Sequence, residues 1–221
     1  VTYSIAFTDS AGNAGVAVTS GSGSVTFDKT VPTLSSVSIA SNNATTTLAK
    51  ASDVITATFT ANETIQTPVV TFQSGSAAIT DTSITYNNTS GNIWTAAYTA
   101  DASDTDGAVT YSIAFTDSAG NAGVAVTSGS GSVTFDKTVP VFSSVSPSTN
   151  SYVNTTAVGY TLSEAIASGT VIYTRTSGTV DNNSPHTVNL TGSELNSGTR
   201  SSAALTNAPT LVSGTIYTIS F

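Results

Sequence analysis

The residues in this chain able to do chemistry are almost all acidic, and they recur in three short motifs. Asp-Ser-Ala-Gly-Asn stands at 9–13 and again at 117–121. Phe-Asp-Lys-Thr-Val-Pro stands at 27–32 and again at 135–140. A Glu follows an apolar run twice, as Glu63 in FTANETI and as Glu164 in YTLSEAI. A loop, Asp101-Ala-Ser-Asp104-Thr-Asp106-Gly107, adds three more carboxylates. Carboxylate and amide oxygens are hard donors. Gathered from separate segments, they suit a calcium ion, which takes six to eight such ligands in tolerant geometry.

Other chemistries find little support. There is no Cys, which removes thiolate catalysis, zinc fingers and disulfides. His186 is the one histidine, set in Asn-Asn-Ser-Pro-His, a loop composition, and reads as a plain loop or surface residue. No nucleophile elbow or phosphate loop occurs. Five scattered bases (Lys29, Lys50, Lys137, Arg175 and Arg200) make no phosphate-tracking patch, so nucleic acid is not an expected partner. No apolar run has the length of a membrane-spanning helix. The expectation is a chain with no catalytic residues.

The elements that must position the acids are strands. Only 8% of the 221 residues are charged, against about a quarter in ordinary domains. Ser and Thr together supply 77 residues. Val109, Tyr111, Ile113 and Phe115 alternate with Thr110, Ser112, Ala114 and Thr116. Ile55, Ala57 and Phe59 alternate with threonines in the same way. Period two with one apolar face is the mark of a half-buried antiparallel strand, and β-branched Thr suits its wet face. Strands are predicted near 34–40, 53–60, 68–73, 77–86, 92–100, 108–116 and 124–136, with no helix.

Residues 1–32 and 109–140 are identical, letter for letter, at a period of 108 residues. About 100 residues of short strands is the size of one immunoglobulin-like sandwich. The expected fold is therefore all-β, as tandem immunoglobulin-like antiparallel β-sandwiches. Residues 1–29 read as the end of one repeat and 30–137 as a complete repeat. Residues 138–221 read as a divergent repeat lacking its last strand. Its skeleton persists: TVPTLSSVS (30–38) matches TVPVFSSVS (138–146), and TYSIAF (110–115) matches IYTISF (216–221).

Sandwich topology predicts where the acids meet. The incoming linker and the loops after the second and sixth strands lie at one end of such a domain. Asp28, Glu63, Asp117 and Asn121 are expected to converge there and hold Ca2+. Asp136 and Glu164 repeat that arrangement at the next junction. Asp104 and Asp106 are expected to add ligands from the exit end, although their loop is too short for an EF-hand and lacks its distal Glu. The blander reading stays open: Asp-Ser-Ala-Gly-Asn is also a good hairpin turn, whose Asp and Asn satisfy backbone groups.

The Asp-Ser-Ala-Gly-Asn-Ala-Gly loop, the strand after it and Phe-Asp-Lys-Thr-Val-Pro resemble the ending of bacterial immunoglobulin-like (Big-type) repeats. Such repeats stand in tandem in giant surface and secreted adhesin-like proteins. YTLSEAIASGT, SPHTVNLTGSEL and LTNAPTLVSGTIYTISF are similar to a second repeat type in those proteins. The resemblance implies an extracellular spacer on a bacterial surface, with neighbouring repeats as partners and a glycan or cell-surface ligand engaged by other regions. It also implies calcium at junction acids: Asp28, Glu63, Asp117, Asn121, Asp136 and Glu164, with Asp9 and Asn13 retained in the first copy.

Two alternative functions stand beside this one. Residues 138–221 could form a carbohydrate- or protein-binding module using Tyr152, Tyr160, Tyr173 and Tyr217. Alternatively, strand exchange between chains could complete the third domain and build a filament. Against exchange, residues 1–7 duplicate a strand that the third domain already has at 215–221, and a longer array cut short is the simpler explanation.

Overall fold

The computed structural model describes all of residues 1–221. The chain is all-β with antiparallel sheets, and one 3-10 turn at Gly192–Leu195 is its only helical element. It divides into two compact units, Val1–Lys137 and Thr138–Phe221. No helix is long and apolar enough to cross a membrane.

The first unit holds β1 (Leu34–Ser41), β2 (Leu48–Ala49), β3 (Val54–Ala61), β4 (Val69–Ser74) and β5 (Ala77–Ala78). β6 (Thr85–Ser90), β7 (Ile93–Thr99), β8 (Gly107–Ala114) and β9 (Thr134–Phe135) follow. One sheet has the order β1-β3-β7-β6 and the other β2-β9-β8-β4-β5. Their inner faces share a single core that joins Ile55, Phe59, Trp94 and Tyr98 to Phe72, Ile113, Val133 and Phe135, a sandwich-like packing. The alternation dictates this: β3 buries every second side chain, Ile55, Ala57, Phe59 and Ala61, and leaves its threonines half-buried.

Three stretches depart from expectation. The strand predicted at 77–86 breaks into β5 and β6, which belong to different sheets. Asp81 sits at the crossing and accepts the N–H groups of Ser83 and Thr99. The predicted strand 124–136 pairs through bridges at Ala122, Val126 and Ser130 and through the short β9. Its Gly-rich run fits this, because Gly131 has φ +77°, a backbone conformation outside the extended strand region. Residues 87–90, which lie between two of the predicted strands, belong to β6.

The same residues 1–29 sit elsewhere as an exposed hairpin, held by bridges Ile5↔Val18 and Thr8↔Ala14. Ile5 is 55% exposed and Phe27 76%, whereas their copies Ile113 and Phe135 are fully buried. Identical sequence thus occupies two environments in one unit.

The second unit holds β10 (Phe142–Ser146), β11 (Val158–Leu162), β12 (Thr170–Gly178), β13 (His186–Asn189), β14 (Gly198–Ala203) and β15 (Thr215–Ser220). Its sheets are β10-β11-β14 and β13-β12-β15. The correspondence with the first unit reaches the bulges. Ser36 and Ser144 have φ 51° and 50°, and the register of β1 on β3 and of β10 on β11 shifts at these serines. Phe142, Tyr160 and Phe221 form an aromatic cluster with centroids 5.2–5.8 Å apart.

Candidate metal centre

Three segments bring the first acid set together. After β3, the chain continues past Glu63 to Ile65, which bridges to Asp117. Gln66 locks this pairing: its N–H bonds the Thr116 carbonyl, and its side chain donates to the Asp117 carbonyl at 2.9 Å. The linker is pinned beside them. Thr33 N–H donates to Asn62 Oδ1 at 2.7 Å, and Asn62 N–H returns a bond to the Thr33 carbonyl. The outcome is a cluster in which ligand oxygens of Asp28, Glu63 and Asp117 all lie within 4.8 Å of one another. Two ligands on one calcium ion, each at 2.3–2.6 Å, can stand up to about 5 Å apart.

The electrostatics of the cluster are unbalanced. None of the three carboxylates takes part in an ion pair. At an effective dielectric of 20, two unit charges at such a distance repel by about 3 kcal/mol. Glu63 Oε1 is buried and has no hydrogen-bond partner. A buried orphan oxygen beside two more carboxylates is what a hard cation would satisfy. Asp117 is itself buried, and its carboxyl is held below the usual carboxylate range. The largest cause is the Asn121 side chain, followed by backbone N–H groups of Asn121, Ala119 and Gly120.

Asn121 plays a different part from its neighbours. Its amide nitrogen donates to Asp117 Oδ2 at 2.7 Å and to the Asp28 carbonyl at 3.2 Å. It braces loop to linker through N–H, with that nitrogen turned toward the acids. The first-copy loop makes the same turn without other acids: Asn13 donates to Asp9 through both backbone and side chain, and Ala11 N–H joins them. The Asp–Asn turn is therefore intrinsic to the loop, and Asn13 likewise holds the Asp9 carboxyl below its ordinary value.

The remaining acids are not gathered with these three. Asp104 is buried and accepts the N–H groups of Thr80 and Asp101. Asp106 accepts Lys137 N–H at 2.8 Å, and Lys137 Nζ reaches the Asp104 carbonyl at 2.6 Å. This loop holds the start of the exit linker by hydrogen bonds. Asp136 belongs to the first unit and Glu164 to the second. Glu164 Oε1 is a buried oxygen without a partner, as Glu63 Oε1 is.

The sequence reading missed two polar clusters in the second unit. His186 is not a plain surface residue: its Nε2 lies 2.7 Å from Asp181 Oδ2, and the Tyr217 hydroxyl donates to the same oxygen at 2.5 Å. Tyr217 first and His186 second pull the Asp181 carboxyl down to about 2. Glu194 is buried and accepts from Thr191, Thr206 and Arg200. Neither acid belongs to the recurring motifs, and each stands among uncharged polar residues, Asp181 before Asn182-Asn183-Ser184 and Glu194 between Gly192-Ser193 and Asn196-Ser197. Of the four tyrosines singled out for ligand binding, Tyr160 and Tyr173 are core residues, while Tyr152 is fully exposed and Tyr217 half-buried.

In comparisons with protein-family models, curated proteins and solved structures, nothing matches this chain.

Proposed function

We propose that this chain is a spacer segment of a large extracellular bacterial repeat protein, an adhesin or surface fibre. In this reading its tandem immunoglobulin-like sandwiches are stiffened by calcium where linker meets domain. The observation that carries the reading is the meeting of Asp28, on the linker, with Glu63 and Asp117, on two loops of the domain that follows it. A cation there would tie the linker to the domain and remove its bending freedom, with coordination offsetting the lost entropy. The near-verbatim return of the same motifs is expected of a spacer, in which each copy does the same mechanical task. The reading assigns the chain no catalytic step, and its partners are neighbouring repeats of the same protein.

Calcium titration calorimetry and small-angle scattering of the full chain test it. One calcium site is expected, lost in the Asp28→Asn and Glu63→Gln variants, with a more extended and less variable particle in calcium than in chelator. No calcium binding at millimolar concentration, together with superimposable scattering profiles, would sink the proposal.

A further inference from the structure

In the first unit the segments that take the load of a pulled chain lie side by side. The chain enters the sandwich at Thr33, runs along β1 and β2, and leaves along 130–137. These two segments are parallel neighbours: Ser38 bridges to Ser130, and β2 pairs with β9. Ser130 N–H bonds the Val37 carbonyl at 2.8 Å, and Ile39 N–H bonds the Ser130 carbonyl at 3.0 Å. Further along, Thr134 N–H bonds the Thr47 carbonyl at 2.9 Å, and Asp136 N–H bonds the Ala49 carbonyl at 2.8 Å. Between these two patches Ser41 closes the loop 42–46, through its N–H to the Thr46 carbonyl and its hydroxyl to the Leu48 carbonyl. Glycines permit the close approach. A Cβ would lie 2.3 Å from the Val37 oxygen at Gly129 and 2.4 Å from the Ile39 oxygen at Gly131. Val37, Ile39, Val133 and Phe135 are core residues, so a slip of one residue would turn buried side chains outward.

Tension draws Thr33 and Lys137 apart. In parallel neighbours these points lie at opposite ends of the paired segments, so the segments are drawn along their own length. The bonds between them are then loaded together. Antiparallel terminal segments would place both points at one end and open bond by bond. Both ends are also stapled. Thr33 and Asn62 exchange two hydrogen bonds at the entry. At the exit, Lys137 N–H bonds Asp106 Oδ1 at 2.8 Å, and its ammonium bonds the Asp104 carbonyl at 2.6 Å. That loop is anchored in turn: Thr80 N–H holds Asp104 Oδ1 at 2.8 Å, and the Ser74 hydroxyl holds the Thr105 carbonyl at 2.7 Å. Load at the exit therefore spreads to β4 and the turn after β5. We infer that the first unit's sandwich is a tension-bearing element, in which residues 37–49 and 130–136 form a clamp that resists end-to-end force in shear. Forced unfolding follows the unfolding barrier, not equilibrium stability, so a few bonds loaded together suffice without a large core. That the domain is pulled end to end rests on the spacer reading. The resistance itself does not, and it needs no cation.

Force spectroscopy of the full chain tests the clamp by pulling it in two directions. The chain has no cysteine, so engineered pairs define the points of attachment. Val31→Cys with Val139→Cys loads the clamp in shear, and both positions are exposed. Lys50→Cys with Val139→Cys loads the same strands at one end, because Lys50 follows the Ala49↔Phe135 pair, and peels them apart. At one pulling speed the first pair is expected to need a several-fold higher rupture force. It then releases the 103 residues 34–136. At roughly 3.3–3.6 Å per residue, that lengthens the tether by up to about 350 Å. Val31 lies beyond Asp28, so the load by-passes the acid cluster, and the shear force is expected to be the same in calcium and in chelator. A high shear force in a chain that binds no calcium would support the clamp while removing the calcium-stiffened spacer. Equal forces in the two directions would overturn the inference, as would a shear force that collapses in chelator.

Discussion

The identical copies permit an experiment in which sequence is held fixed and only environment changes. Phe135 is fully buried in the core of the first unit, and Phe27, within the same eleven letters SGSGSVTFDKT, is 76% exposed. Removing a buried phenyl ring loses its transfer free energy and leaves a cavity, together about 3–5 kcal/mol. Removing an exposed ring costs within about 0.5 kcal/mol. Trp94 is the lone tryptophan and is buried in the first unit's core, so its fluorescence reports that unit's unfolding. With a urea m-value of about 1–3 kcal/mol/M, Phe135→Ala should lower the midpoint by about 2 M, and Phe27→Ala by at most a few tenths. Equal shifts from the two variants would refute the assignment of core and exposed hairpin. A large shift from Phe27→Ala alone would mean that the copies are exchanged.

Other outcomes follow from the same geometry. A Cβ at Gly129 would lie 2.3 Å from the Val37 carbonyl oxygen, whereas one at its copy Gly21 would meet only the movable Tyr3 side chain; Gly129→Ala should destabilise the first unit in the same fluorescence assay, and Gly21→Ala should not. Glu194→Ala strips the acceptor from the N–H groups of Thr191 and Thr206 and should cost the second unit about 1–3 kcal/mol in thermal unfolding. Asp181 is held at about 2 against an ordinary 3.8, so its contribution is complete above 3.8 and is lost as pH falls from there toward 2. Asp181→Asn should flatten the second unit's stability across that window, read by nuclear magnetic resonance of His186. Asp28→Asn should change sign with conditions: slightly stabilising in chelator, by up to about 1 kcal/mol after solvent screening, and destabilising in calcium. A variant with the same effect in both media would argue against a cation at Asp28.

Much of this was legible because period-two patterning is local. The cores of β3, β7 and β8 follow from which letters alternate, and the repeat marks equivalent positions. The meeting of Asp28, Glu63 and Asp117 could be anticipated once the strands had an order. What escaped was set by partners distant in sequence. Nothing near His186 announces Tyr217, 31 residues on, and Asp104 looks like a solvated turn until β5 delivers Thr80 N–H to it. Residues 77–86 contain enough apolar letters for one strand, but Asp81 supplies its carboxylate to two backbone N–H groups and the chain changes sheets there. Residues 1–29 teach the converse. Their pattern is that of core strands, and they lack only a face to bury against.

The linker Asp28–Thr33 has a consequence for how such a chain avoids misfolding. Two identical segments sit near one sandwich, and either could in principle claim the place beside β8 during folding. For the first copy to do so, its last strand would have to run parallel to β1 and join it directly. Parallel neighbours need a crossover of about a dozen residues or more. Here six are present, including Pro32. Fully stretched, they reach about 20–22 Å, no more than the length of β8, with nothing left for the two reversals of direction. Chain connectivity, not sequence, therefore decides which twin enters the core. A linker kept this short lets a protein repeat the same strand verbatim without its copies competing within one chain.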